Sequence, residues 1–155
     1  MDQRLLGIYL NDHLAGSVVG TRLARRIAKH NEGNHYGTEA KRLAGEIDED
    51  KAALESLMER LGVRRKRARR LIAGVAETVG RLKPNGRLVG YSPLSRVIEL
   101  EALTLGINGK LELWQSLKVA DGGIDGVDRL VARAEDQSKR VRALRLQAAS
   151  EAFSG

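Results

Sequence analysis

Residues Leu5–His30 read LLGIYLNDHLAGSVVGTRLARRIAKH, and this stretch decides the fold. At helical spacing its inner face runs Leu6, Leu10, His13, Ser17, Gly20, Ala24 and Ile27. A seam of that length, apolar or small and carrying one imidazole, buries itself only against other helices. Gly16 and Gly20 lie about one turn apart, and a glycine in a helix interior costs about 1 kcal/mol relative to alanine. Close approach of a neighbouring helix is their expected use. The segment His30-Asn31-Glu32-Gly33-Asn34 carries turn chemistry and ends the helix.

Downstream the pattern repeats. A second helix is expected from Thr38, read as its N-cap, with Ala40, Leu43, Ile47, Asp50, Leu54, Leu57 and Leu61 inward and Gly62 closing it. Asp50 is the anomaly in that stripe, and Glu46 sits one turn before it. A third, shorter helix is expected over Val63–Leu82, with Ala68, Leu71, Ile72, Val75, Val79 and Leu82 inward. Pro84-Asn85-Gly86 opens a loop that ends at Ser92, a cap, and Pro93, a first-turn proline. A fourth helix follows over Pro93–Val119 and is apolar round most of its girth. The fifth, Asp125–Ala152, turns Val127, Leu130, Val131, Ala134, Val141, Leu144 and Ala148 inward.

The 155 residues suit one helical-bundle domain, 1–155, large enough to bury a core. Hydrophobic residues make up 42% and aromatics only 3%, a vocabulary of straight-chain and small side chains that favours helices. With no cysteine, disulfides, thiolate metal sites and thiol catalysis are excluded. The acidic start and the polar break at Asn11 are unlike a secretory signal, and no apolar run approaches the ~20 residues of a membrane span. The expected setting is the cytoplasm.

Two helical hairpins, 5–62 and 93–152, joined by a long connection form a plan that resembles the ferritin-like bundle. The expected fold is therefore all-α, a ferritin-like bundle of four long helices with one shorter helix in the connection. The resemblance implies carboxylates and histidines facing inward, a lone Glu on two helices and Glu-x-x-His on two. The nearest residues here are His13, Glu46, Asp50 and Glu101, with Glu99 as the alternative on the fourth helix. Glu49 completes a Glu-x-x-Glu, the fifth helix offers Glu135 and Asp136, and neither Glu-x-x-His is present.

Two readings of that set stand side by side. In one, His13 pairs with Asp50 or Glu46 in a metal-free buried network, since a carboxylate in an apolar stripe must be paired or protonated. The protein then has a structural or interaction role and no cofactor. In the other, the set holds iron or manganese, for which the resemblance implies oxygen or peroxide chemistry. A third feature is separate. Arg64, Arg65, Lys66, Arg67, Arg69 and Arg70 put six cations into seven positions of a chain with net charge +7. Such a cluster suits nucleic acid or an acidic partner, although no aromatics interleave with it. The apolar girth of the fourth helix suggests a homo-oligomer.

Overall fold

The computed structural model describes residues 2–66, 91–120 and 124–154. These form helices α1 (Gln3–His30), α2 (His35–Arg60), α3 (Pro93–Val119) and α4 (Val127–Phe153), with no strand among the described residues. The helices expected fourth and fifth are thus α3 and α4. The expected shorter helix lies outside the described residues from position 67 onward.

Local chemistry sets the helix ends. Asp2 caps α1, its carboxylate accepting from the Arg4 and Leu5 amides at 2.9 and 3.1 Å. Asn34, not Thr38, caps α2, accepting from the Gly37 amide at 3.1 Å. Thr38 instead turns its hydroxyl back to donate to the Asn34 carbonyl at 3.3 Å, and the cap of α2 lies four residues earlier than the sequence suggests. Ser92 caps α3 through the Ser95 amide, with Pro93 following as expected. After α2 the chain turns at Gly62, whose φ of +67° suits glycine. The next residues are not helical: Asn11 of α1 accepts from the Lys66 amide at 2.6 Å and donates to the Arg64 carbonyl at 3.1 Å. The expected helical start at Val63 is thus not found over 63–66, where Asn11 engages those peptide groups instead.

Both hairpins, α1–α2 and α3–α4, are antiparallel. Tyr9 lies against Ser116 and Arg26 against Glu99, so α1 and α3 also run in opposite directions. Arg140 reaches Glu39 and Arg133 reaches Glu49, which does the same for α2 and α4. In consequence α2 and α3 point the same way, and the chain between them must join opposite ends of the bundle.

The core has two apolar halves. One gathers Ile27, Tyr36, Leu43, Leu100, Leu103 and Val141; the other gathers Leu10, Leu54, Leu57, Met58, Trp114 and Leu117. Each such side chain contributes roughly 1.5–3 kcal/mol when fully buried. Between the halves the stripes of α2 and α4 carry polar residues, Asp50 and Gln137, which are 2% and 0% exposed.

Candidate functional site: a charged layer and an adjoining cavity

Asp50 sits on the inward stripe of α2 between Ile47 and Leu54, so its carboxylate cannot escape to water. Three side chains from the opposite hairpin meet it. Lys110 of α3 and Arg133 of α4 each form an ion pair with it, and the Gln137 amide donates to it at 3.2 Å. Gln137 also donates to Glu46 at 3.1 Å and accepts from the Lys110 ammonium. Toward the surface, Arg140 pairs with Glu46, Glu39 and Asp136, and Arg133 pairs with Glu49 at 2.8 Å. Burial pulls the Lys110 pKa down, opposed by the charge and hydrogen bond of Asp50.

This layer contains Glu46 and Asp50, as expected, but not the other two candidates. His13 is half-buried on α1, its ring edge-on to Tyr9 at 4.6 Å, with burial lowering its pKa against the opposing charge of Asp12. No hydrogen bond joins it to Asp50 or Glu46 among the described residues. Glu101 is exposed. Glu99, two residues earlier and thus rotated about 200°, is the buried carboxylate of α3, fully enclosed.

Glu99 anchors a second polar cluster at the end of the bundle where α1 turns into α2. Arg26 pairs with it at 2.7 Å and the Tyr91 hydroxyl donates to it at 3.0 Å. Asn31 donates to Tyr91 at 3.1 Å and accepts from Arg96 at 2.6 Å, and Arg96 covers the Tyr36 ring at 4.4 Å. Burial raises the Glu99 pKa; the Arg26 charge and the Tyr91 hydrogen bond oppose it.

A metal pair needs several carboxylate or imidazole donors converging with their charge uncompensated. Here the central carboxylates face lysine and arginine, and no three His, Asp or Glu side chains are gathered as a metal site among the described residues. The residues present do not fit a dinuclear centre.

Beside the charged layer lies a cavity of about 490 Å³ between α1, α2 and α3. His13, Asp50, Lys110 and Trp114 line it together with an apolar wall. Gly16, Gly20, Gly106 and Gly109 also border it. Among the described residues the expected close helix contact at Gly16 and Gly20 is not found: a Cβ at Gly16 would meet none of their atoms within 4 Å, and one at Gly20 would meet the Ile47 side chain at 3.9 Å. These glycines leave space instead of closing it.

Of the basic cluster, Arg64, Arg65 and Lys66 are exposed, and Arg65 pairs with Glu55 at 3.2 Å. Arg67, Arg69 and Arg70 lie outside the described residues.

Lys110, Arg133, Gln137 and Arg140 are the partners that sequence reasoning did not name. One signal was available for Gln137. It continues the alternation of four and three residues that runs through Leu130, Ala134, Val141, Leu144 and Ala148. No family model matches the chain, and neither does any curated protein or solved structure.

Proposed function

We propose that the chain is a ferritin-like bundle whose central carboxylates are neutralised by lysine and arginine in place of metal ions. On this reading it serves a structural or interaction role and not oxygen or peroxide chemistry. One observation carries the reading: Lys110 and Arg133 both pair with Asp50, while Gln137 fills the gap between Asp50 and Glu46. An added divalent cation would have to displace or face those cations at short range. The helix path also favours the kinship, because two antiparallel hairpins joined by one long crossover is the ferritin-like arrangement.

Metal analysis of protein purified without chelator tests this directly. The expected result is less than a tenth of an equivalent of iron or manganese, and no shift in melting temperature on adding either ion. Stoichiometric metal, lost in Asp50→Asn, would overturn it and restore the di-metal alternative.

A second reading, contact with a polyanion, is favoured by the exposure of Arg64, Arg65 and Lys66 together. A DNA titration at two salt concentrations reads it, since phosphate contacts weaken steeply as salt rises. Self-association through α3 is the accompanying proposal. Leu105 and Val119 are exposed apolar residues of this helix, and light scattering on Leu105→Glu against the parent reads the association. The cytoplasm is the setting proposed for such a protein.

A further inference from the structure

From His13 to Asn31 the sequence contains no Asp or Glu, and the second half of that stretch carries Arg22, Arg25, Arg26, Lys29 and His30. Positions 22, 25, 26 and 29 share one face of a helix. The structure sorts them. Arg25 turns toward α2 and pairs with Asp48, and Arg26 turns toward α3 and pairs with Glu99. Arg22 and Lys29, seven residues apart and so nearly in line, project between those two. Both are exposed, with no ion pair among the described residues. Lys41 of α2 is in the same condition. With Lys29 and Thr38 it borders a shallow cavity of about 360 Å³, at whose rim Glu32 is the acidic residue among those described. The nearby carboxylates of Asp48 and Glu99 are thus taken by the flanking arginines, and three cations face water uncompensated.

At the end of this row the His30 ring stacks on the Tyr91 ring, the two planes 2° apart and the centroids 4.6 Å apart. Tyr91 is held by its hydrogen bonds with Glu99 and Asn31. His30 is exposed, and since one ring face lies on Tyr91 the accessible face is the other. A flat ring fixed on a second one, and open on its outer side, is a platform on which a third planar ring continues the stack. Phosphates complement the cations, and a nucleobase complements the platform. Bases inside a duplex are already stacked and paired, so an unpaired base is the one that fits. An anionic membrane offers the same charge but also takes up apolar side chains. No exposed large apolar residue lies on α1 from Arg22 to His30, or on α2.

We propose that the Arg22–His30 face of α1, with Lys41 of α2, binds single-stranded nucleic acid. Arg22, Lys29 and Lys41 hold phosphates, and His30 stacks on an unpaired base. The row from Arg22 to Lys29 is about 10 Å long at a rise of about 1.5 Å per residue, room for about three nucleotides at about 3.4 Å each. The inference rests on the polyanion reading and moves its contact to a different surface. Asn11 holds Arg64 and Lys66 near the start of α1, about 16 Å along the helix from Arg22.

The experiment titrates the full chain into a fluorescein-labelled mixed-sequence DNA strand of about twenty nucleotides, or the same strand annealed to its complement, and reads anisotropy at about 50 and about 200 mM salt. The strand should bind several-fold more tightly than the duplex. Three phosphate contacts, at a slope of about −0.7 each, predict about a twentyfold loss of strand affinity across that salt range. Arg22→Glu combined with Lys29→Glu should weaken strand binding by roughly tenfold or more, with the helical circular dichroism of the parent. Arg64→Glu combined with Lys66→Glu should change it less than about twofold. His30→Ala should lose the preference for strand over duplex, and His30→Phe, which keeps a flat ring, should retain it. No binding of strand or duplex at the lower salt overturns the proposal and the polyanion reading together. Strand binding that is lost in the Arg64/Lys66 variant and kept in the Arg22/Lys29 variant overturns the proposal alone. Equal affinity for strand and duplex overturns it, as does sedimentation with phosphatidylserine vesicles in place of strand binding.

Discussion

Lys110 of α3 and Asp50 of α2, sixty positions apart in the chain, form a buried ion pair at the junction of the two apolar core halves. The pair is unequal in its dependence on each partner. Asp50 receives Lys110, Arg133 and Gln137, whereas Lys110 leans on Asp50 and Gln137. Removing the acid strands the Lys110 ammonium and leaves Arg133 with Glu49, whereas removing the lysine leaves the acid still paired with Arg133.

From this asymmetry, Asp50→Ala should destabilise the protein by about 3–5 kcal/mol, the usual loss when one member of a buried ion pair is deleted. Lys110→Met should lose clearly less, because it also relieves a buried ammonium whose desolvation already lowers its pKa. Urea unfolding of both variants beside the parent checks the order. Equal losses would contradict the partner assignment.

Glu99 gives stability a pH dependence of definite sign. Burial raises its folded pKa above the ordinary carboxylate range. Its contribution is therefore fully present below the unfolded pKa and is lost as pH rises through the folded pKa. Glu99→Gln keeps the neutral form at every pH. The variant should gain on the parent as pH climbs from about 4 to 7, and the difference should shrink again on acidification. Melting temperatures measured across that window check it; a gap that widens toward acid would refute the account.

Gly37 and Gly45 lie on the same helix and should respond oppositely to alanine. A Cβ at Gly37 would fall 2.1 Å from the Asn31 carbonyl oxygen, backbone that has little freedom to move. Gly37→Ala should therefore lose about 1–3 kcal/mol through overpacking. At Gly45, which is exposed, a Cβ would meet no atom of the described residues within 4 Å, so Gly45→Ala should gain about 0.5–1 kcal/mol from helix propensity. Denaturant midpoints of the two variants check the contrast.

Asn11 clamps the chain leaving α2 onto α1 through the Arg64 carbonyl and the Lys66 amide. Asn11→Leu keeps an apolar volume in a position that is 5% exposed but leaves both peptide groups without that partner. A loss of about 1–3 kcal/mol is expected, with faster amide exchange at Lys66, measured by hydrogen–deuterium exchange. Unchanged exchange there would show that the clamp does not hold the segment.

The four long helices, the inward stripe of α2 from Ala40 to Leu57, the two ends of the α1 stripe (Leu6 and Leu10, Ala24 and Ile27) and the burial of an acid at Asp50 were legible in the residues alone, while His13, Ser17 and Gly20 in the middle of α1 are only half-buried. The legible features follow from helical periodicity, which is written in residues three and four apart. Which side chains meet Asp50 depended on how the two hairpins pack. His13 was the visible candidate, yet Lys110, Arg133 and Gln137 arrive from the other hairpin, because the rotation and height of α3 and α4 against α2 depend on how all four stripes pack together. The same rotation put Glu99 inside and Glu101 outside on a helix that looked apolar almost all round. It also made space of Gly16 and Gly20, whose lack of side chains reads identically in sequence whether a neighbouring helix comes close or stays away.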